Sequence, residues 1–391
     1  MMSKQAMFAY YFPEEIFLQI FCKLPVKSLG KCMCVSKAWN SLIKNPYFIS
    51  SHVSHQSKLR RTNDNNLFFV MTGRHEVEYS LHSDDQEFRK YAQLEYMPFD
   101  NHHSIVGACN GLLCLMGFQF SFDSIFILCN PVIQKSITLP KPCLSSLPYK
   151  ISVGFGFDSA QNDYKLLKIT KKGVLDKYVE VELYSLKRNC WKILAPPKYD
   201  LYSDDSMVYV NETVHWIAYE RVNNEGSYSC KLLILGFDMR DDVFKEIMLP
   251  ERLRNLPHQS EIYVIPYDEL SSIAVIELGS LHAECDIWVM KKYGVVETWT
   301  KMYSLGKLGT EPMPRVLGFR KNRDLMLRAY NNLRLVSRDP ESNEMDYFGI
   351  QGRRTYVCNY TESLVLLDRV IDDAMTENHA NYAGNVNRST E

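Results

Sequence analysis

The chain has 391 residues, with 45 Lys and Arg against 46 Asp and Glu for a formal net charge of −1; 46% are hydrophobic, 23% charged and 12% aromatic. These values match an ordinary folded protein and exclude a collagen-like, disulfide-scaffold or wholly disordered chain. Length predicts two or three domains, unless one large all-β domain absorbs most of the chain.

The first fifty residues read as helical. Pro13 suits a first helical turn, where a missing N–H costs nothing. Ile16, Ile20 and Leu24 follow at four-residue spacing with Phe17 and Phe21 beside them, forming one apolar face that Pro25 ends. Leu29, Cys32, Met33 and Val35 make a second apolar stretch. Ser36 can cap a third helix carrying Trp39, Leu42 and Ile43, and Asn45-Pro46 closes the unit. So short a segment with so many large apolar residues predicts a partner that covers some of them.

The series Phe12-Pro13-Glu14-Glu15-Ile16, Leu24-Pro25-Val26-Lys27-Ser28-Leu29, Val35-Ser36-Lys37-Ala38-Trp39-Asn40-Ser41-Leu42-Ile43 and Pro46-x-Phe48 resembles the F-box of plant F-box proteins. It departs from the usual pattern in opening on Phe12-Pro13 and in carrying Met33-Cys34 where a more basic pair is usual. The resemblance places an F-box at 10–50 and implies docking onto a Skp-type adaptor and, through it, cullin and RING subunits. Pro13, Ile16, Ile20, Leu24, Pro25, Leu29, Val35, Trp39 and Ile43 would divide between adaptor contact and a small core. Residues 51–66 read as a linker, with His52–Leu59 able to extend a helix and Thr62–Asn66 polar.

From Leu67 the chain reads as strands separated by Gly, Pro, Asn and Asp turns. Hairpins turn near 83, 131, 188, 240, 292 and 340, at steps of 48 to 57 residues. More apolar hairpins alternate with them, from Ile105–Gly117 to Thr355–Leu367. A repeat of about 50 residues with four strands is a propeller blade. The fold class expected is therefore a small all-α module followed by an all-β domain at 67–368, a six-bladed β-propeller, kelch-like but without the Gly-Gly signature. A β-sandwich or two smaller β domains is the alternative. The outer hairpin Leu67–Tyr91 and the inner hairpin Thr355–Leu367 are expected to complete one blade together. Polar, Asn-rich 369–391 is expected to be a disordered tail.

Asn110-Gly111-Leu112-Leu113-Cys114-Leu115, Cys129-Asn130-Pro131, Gly154-Phe155-Gly156-Phe157-Asp158, Asp163-Tyr164-Lys165, Val181–Leu186 with Trp191, Val214-His215-Trp216, Gly236-Phe237-Asp238 and Ile287-Trp288-Val289-Met290 occur in that order. The series is similar to the F-box-associated interaction domain of plant F-box proteins. Length and the Ile287–Met290 and Tyr293–Val295 segments are similar to the S-locus F-box group, which would imply recognition of pistil ribonucleases in self-incompatibility.

Catalytic chemistry finds little support. Gly154 and Gly156 lack the third glycine and the following helix of a dinucleotide loop. Cys32, Cys34, His52 and His55 have the wrong spacing for zinc. No nucleophile, metalloprotease or phosphate-loop motif occurs. The reading is of no catalytic residues, no metal and no cofactor. A carbohydrate-active enzyme on a propeller is the alternative of another class, and would need carboxylates around the central channel. Residues 1–66 carry nine basic and three acidic residues, a charge of +6 that leaves −7 for the remainder. This suits docking onto an acidic adaptor, and neither nucleic acid nor membrane is expected as a partner. The eleven cysteines form no Cys-x-x-Cys pair and no secretory signal precedes them, which predicts reduced thiols in a cytoplasmic, or also nuclear, protein.

In the propeller reading, the longer loops share one face. Long loops on a rigid scaffold are where recognition concentrates, and Tyr and Arg dominate interface hot spots. The expected substrate contacts are Tyr199, Tyr202, Asp204, Asp205, Arg221, Tyr228, Arg252 and Arg254. The predicted function is a non-catalytic substrate receptor of a Skp–cullin–F-box ubiquitin ligase. Its target would be a pistil ribonuclease or, alternatively, a defence, hormone or developmental regulator.

Overall fold

The computed structural model describes residues 13–62, 67–73, 77–98, 103–118, 124–144, 150–173, 179–202, 207–224, 227–256, 260–268, 271–279, 283–307, 313–329, 333–352 and 354–368. The tail at 369–391 lies outside them.

The first described elements are four helices: α1 (Glu14–Cys22), α2 (Val26–Met33), α3 (Lys37–Ile43) and α4 (Pro46–Thr62). Glu14 and Glu15 fall in the first turn of α1, where carboxylates complement the helix dipole. Ser36 caps α3 by accepting from the Trp39 amide at 3.1 Å. Pro46, expected to end the module, instead opens α4 at the position that tolerates proline. The supposed linker 51–66 is helical through Thr62. Phe48, Ile49, His52 and Val53 are buried on this fourth helix, and the His52 ring bonds the Leu24 carbonyl at 3.2 Å. Phe17, Phe21, Trp39 and Phe48 form a chain of ring contacts, with neighbouring centroids 5.1–6.4 Å apart.

The described strands that follow form six antiparallel sheets. In chain order they are β4 (His103–Cys109) to β5 (Leu112–Phe118), β6 (Ser124–Asn130) and β7 (Lys135–Thr138); then β8 (Lys150–Asp158), β9 (Asp163–Lys171), β10 (Val179–Ser185) and β11 (Cys190–Leu194). Next come β12 (Asp200–Leu201) and β13 (Val208–Val210), both on β14 (Thr213–Asn224), followed by β15 (Ser227–Asp238) and β16 (Val243–Ile247). A four-residue helix α5 (Glu251–Arg254) leads to β17 (Glu261–Asp268), β18 (Ser272–Leu278), β19 (Glu284–Met290) and β20 (Trp299–Gly306). The last consecutive sheet is β21 (Arg315–Phe319), β22 (Leu325–Arg328), β23 (Arg334–Arg338) and β24 (Met345–Gln351). The sixth sheet joins the two ends of the domain. C-terminal β25 (Arg354–Tyr360) pairs with β1 (Leu67–Gly73), which continues to β2 (Val77–Ser83) and β3 (Lys90–Leu94). The six-bladed propeller is thus observed, but its closure differs from the hairpin-plus-hairpin expectation. Three strands come from one end and one from the other. After Tyr360 the chain leaves the sheet; residues 361–364 run irregularly and 365–368 form a turn, and the segment buries Ser363, Leu364, Val365 and Leu366.

Blade packing explains the glycine-rich segment. A Cβ on Gly154 would stand 2.8 Å from Trp216, and one on Gly156 2.5 Å from Tyr209, both on the next blade. The glycines make room for neighbouring aromatics and cradle no phosphate. Trp216 and Trp191 are buried, as blade-core residues should be. Buried Lys165 bridges two blades, reaching Asp158 and Asp242 at 2.8 Å each.

His215 lies wholly inside, its ring bonded to Val208 O at 3.1 Å and to the Tyr293 hydroxyl at 2.7 Å. Burial lowers its pKa from 6.5 to about 4. The unfolded chain takes up the proton first as pH falls. This contribution is therefore intact above 6.5 and is lost as pH drops toward 4, about 3 kcal/mol in all. The urea midpoint should fall between about pH 7 and pH 4.5, and His215→Gln should flatten that slope. An unchanged slope in the variant would contradict the assignment.

Candidate functional site

The helical module leaves a strip of apolar side chains uncovered. Ile16 is 37% exposed, Ile20 50% and Val35 62%, and Pro13 and Pro25 are exposed beside them in sequence. Ile16 and Ile20 lie one turn apart on α1 and so share a face. Leu24 and Trp39 are half-buried. Leu29 and Ile43 are completely enclosed, so of the residues expected to divide between adaptor contact and core, these two fall to the core and cannot touch a partner directly. Sequence reasoning passed over Tyr47, which is 86% exposed one position from buried Phe48. Lys23, Lys27, Lys31, Lys37 and Lys44 are all exposed.

The module is seated on the propeller through the segment 361–368. Phe21, Leu29, Ile43 and Phe48 belong to one apolar cluster with Leu112, Phe126, Leu128, Leu364 and Leu366. Asn130 latches the segment, donating to the carbonyls of Ser363 and Val365 at 3.0 Å each, and Lys135 donates to Leu367 O at 3.2 Å. Tyr360 donates to Gly111 O at 3.0 Å. Burial raises the Glu362 carboxyl, and the Lys27 ammonium pulls it part of the way back. Asn110-Gly111 forms the two-residue β4–β5 turn with φ of 49° and 79°. A Cβ on Gly111 would meet Ser363 Oγ and Thr361 O at 2.5 Å. Gly111→Ala is therefore expected to cost roughly 2–4 kcal/mol, from left-handed strain plus overpacking, read as a lower urea midpoint. A midpoint equal to wild type would contradict the latch.

These latching residues lie on the tight turns β4–β5 and β6–β7 and directly after β25. The helical module therefore covers part of the short-turn face and leaves the opposite, long-loop face clear. On that long-loop face the expected contacts fare unevenly. Tyr199 is buried with Ala218, Leu233 and Leu235, because β12 immediately after it pairs onto β14. Tyr202 is half-buried and donates to Ser260 O at 2.6 Å. Arg254 is half-buried, its Nε donating to Leu249 O at 2.8 Å. All three tie loops down, and Tyr199 is too enclosed to meet a partner directly. Arg252 stays exposed, 3.1 Å from Asp286 and 3.5 Å from Glu277. Arg221 and Tyr228, expected on a loop, lie on strands β14 and β15, where Arg221 pairs with Cys230 and Asn223 with Tyr228. The side chains of Arg221 and Tyr228, and both Asp204 and Asp205, lie outside the described residues.

A central cavity of about 1440 Å³ runs along the inner strands, reached by Ile105, Met207, Tyr263, Arg315 and Tyr356 among others. Its one described carboxylate is Asp84, which is ion-paired to Arg320 at 2.9 Å. The two facing acids required for glycoside hydrolysis do not meet among the described residues. No group of three or more His, Cys, Asp and Glu able to hold a metal occurs among them, nor a helix long and apolar enough to cross a membrane.

Residues 65–367 match the F-box associated beta propeller domain family and residues 11–51 the F-box domain. An F-box/kelch-repeat protein of Arabidopsis thaliana is 27% identical over 304 residues, covering 75% of this chain and 79% of its own. The F-box protein CPR1 of the same plant is 26% identical over 369 residues, covering 87% and 84%. Among solved structures, the six-bladed Aleuria aurantia lectin aligns with a TM-score of 0.45 at 9% identity, over 77% of this chain and 93% of that one.

Proposed function

Because this chain belongs to the F-box-associated β-propeller family, we propose that it is a non-catalytic substrate receptor of a Skp–cullin–F-box ubiquitin ligase. F-box domains bind Skp-type adaptors within such complexes. The observation that carries the reading is the uncovered strip of Ile16, Ile20 and Val35 on a lysine-bearing module. Apolar burial supplies affinity, and complementary charge speeds encounter with an acidic adaptor. The propeller, seated by its short-turn side, turns its long-loop face away from the module. A target held there is brought near the ubiquitin carrier, which raises the effective concentration of its lysines. The proposed setting is the cytoplasm, or also the nucleus, where its cysteines stay reduced.

The narrower S-locus reading draws no support from the blade that suggested it. Ile287, Val289 and Met290 are completely buried in β19, where packing alone accounts for them. A receptor for a defence, hormone or developmental regulator is therefore preferred over one for pistil ribonuclease. Transcript confined to pollen would reverse that preference. The main test is co-purification of the full chain with a plant Skp-type adaptor and cullin, followed by mass spectrometry of retained proteins. A stoichiometric adaptor complex is expected. A chain that purifies without adaptor would sink the proposal.

A further inference from the structure

The cations of the central cavity do not match the chain's balanced charge. Arg315, Arg320, Lys321, Arg323 and Arg328 line it against Asp84 alone among described carboxylates. At the short-turn end this excess is absorbed. Arg320 is bound to Asp84, and Arg323 lies over the Tyr267 ring, its centroid 5.1 Å away, and is bonded to that hydroxyl. The long-loop end differs. Arg315 opens β21 and Arg328 ends β22, and the two are directly paired in register. Their side chains therefore leave the same face of the sheet at neighbouring positions. Arg315 is half-buried with its guanidinium 4.7 Å from the Tyr263 ring centroid, a geometry that points it toward the preceding blade. It is ion-paired to Glu261 at 3.9 Å, a long and partly exposed contact. Arg328 is half-buried and has no hydrogen bond or ion pair with any described residue.

Like charges placed directly opposite across a strand pair repel, and half-burial removes part of the water that would screen them. A sheet gains nothing from such a pair unless something negative sits between them. Guanidinium groups hold carboxylates through paired, charge-assisted hydrogen bonds. We propose that Arg315 and Arg328 form an oxyanion clamp at the long-loop mouth of the channel, and that it takes an acidic side chain from a segment of the bound target protein. The mouth opens on the face that the receptor reading leaves clear for cargo, so the proposal rests on that reading. A cavity of about 1440 Å³ exceeds the usual small-molecule pocket and has room for an inserted loop.

The test uses the full chain co-purified with a Skp-type adaptor and a fluorescein-labelled hexaglutamate peptide, with hexalysine as control. Hexaglutamate should bind, hexalysine should not, and binding should weaken as salt rises. Arg328→Gln and Arg315→Gln should each weaken hexaglutamate at least tenfold. The Arg328 side chain makes no hydrogen bond or ion pair with a described residue, so its variant should fold as wild type does. Adaptor capture, measured on the same samples, reports the receptor reading separately and should be unchanged in both variants. Hexaglutamate affinity within twofold of wild type in the Arg328 variant overturns the clamp, whatever the adaptor does. Inorganic phosphate that displaces the peptide at equal concentration would overturn its assignment to a polypeptide.

Discussion

Ile20→Asp and Val35→Asp are each expected to reduce capture of a Skp-type adaptor by at least about a hundredfold while leaving the melting curve unchanged. Full burial of one aliphatic side chain contributes about 1.5–3 kcal/mol. An aspartate at the same place loses that term and adds the cost of desolvating a carboxylate, so a total near 3 kcal/mol or more is expected at the interface. Both residues are at least half exposed in the free chain, where surface changes usually stay within about 0.5 kcal/mol. Trp39→Ala is a poorer probe. Its ring lies 5.7 Å from Phe17 and 5.1 Å from Phe21, so truncation empties the module's core and would weaken capture through misfolding. Wild-type capture by both aspartate variants, in a pull-down on correctly folded protein, would remove the docking face from consideration.

Arg320→Ala is expected to produce the largest loss of stability. Arg320 sits on the β21–β22 turn and reaches across to the β2–β3 turn of the closing blade. Its Nε is 2.9 Å from Asp84 Oδ1, with both side chains 2% exposed. It also donates to Ser337 Oγ at 3.1 Å and to the Asp85 carbonyl. Its guanidinium lies 5.7 Å and 5.2 Å from the ring centroids of Phe88 and Phe348. Removing the cation leaves Asp84 buried with, among the described residues, the Lys321 amide 2.8 Å away to offset its charge. Breaking a buried pair from one side costs about 3–5 kcal/mol, which for a domain of this size is a fall in melting temperature of roughly 5–15 °C. Adding Asp84→Asn should return part of the loss, because the stranded charge is then gone. A single variant melting within about 2 °C of wild type would show that the seam does not depend on this pair.

Much of this architecture was legible in the chain. Alternating strands with turn residues at a near-constant step can be read without contacts, because side-chain period and turn chemistry are local properties. The closure was read only in outline. Whether β1, already in a hairpin with β2, is an edge strand or an interior one depends on pairing with β25, almost three hundred positions away, and no local signal reports it. Pro46 shows the same limit. Proline after Asn is compatible with a helix end or a helix start, and only the burial of Phe48, Ile49 and Val53 decides between them.

The candidate site divides along the same line. Ile16 and Ile20 are legible because apolar residues in a helix too short to bury them must meet something, and Val35 because it is apolar in the short turn between α2 and α3. Leu29 and Ile43 could not be told from them by type or spacing, since the partner and the core ask for the same side chains. Tyr199 and Arg254 were chosen as loop residues of hot-spot type, yet each is used up by a neighbour brought in by the fold. Arg315 and Arg328 were passed over because thirteen positions and a turn separate them, and only strand register sets them side by side. What the amino-acid sequence determined by itself was the helical module, the repeat and the apolar excess, all consequences of residue type and local period. What the tertiary structure alone decided was how the ring closes, which face the helical module covers and which charges are set side by side, because each depends on contacts between residues far apart along the chain.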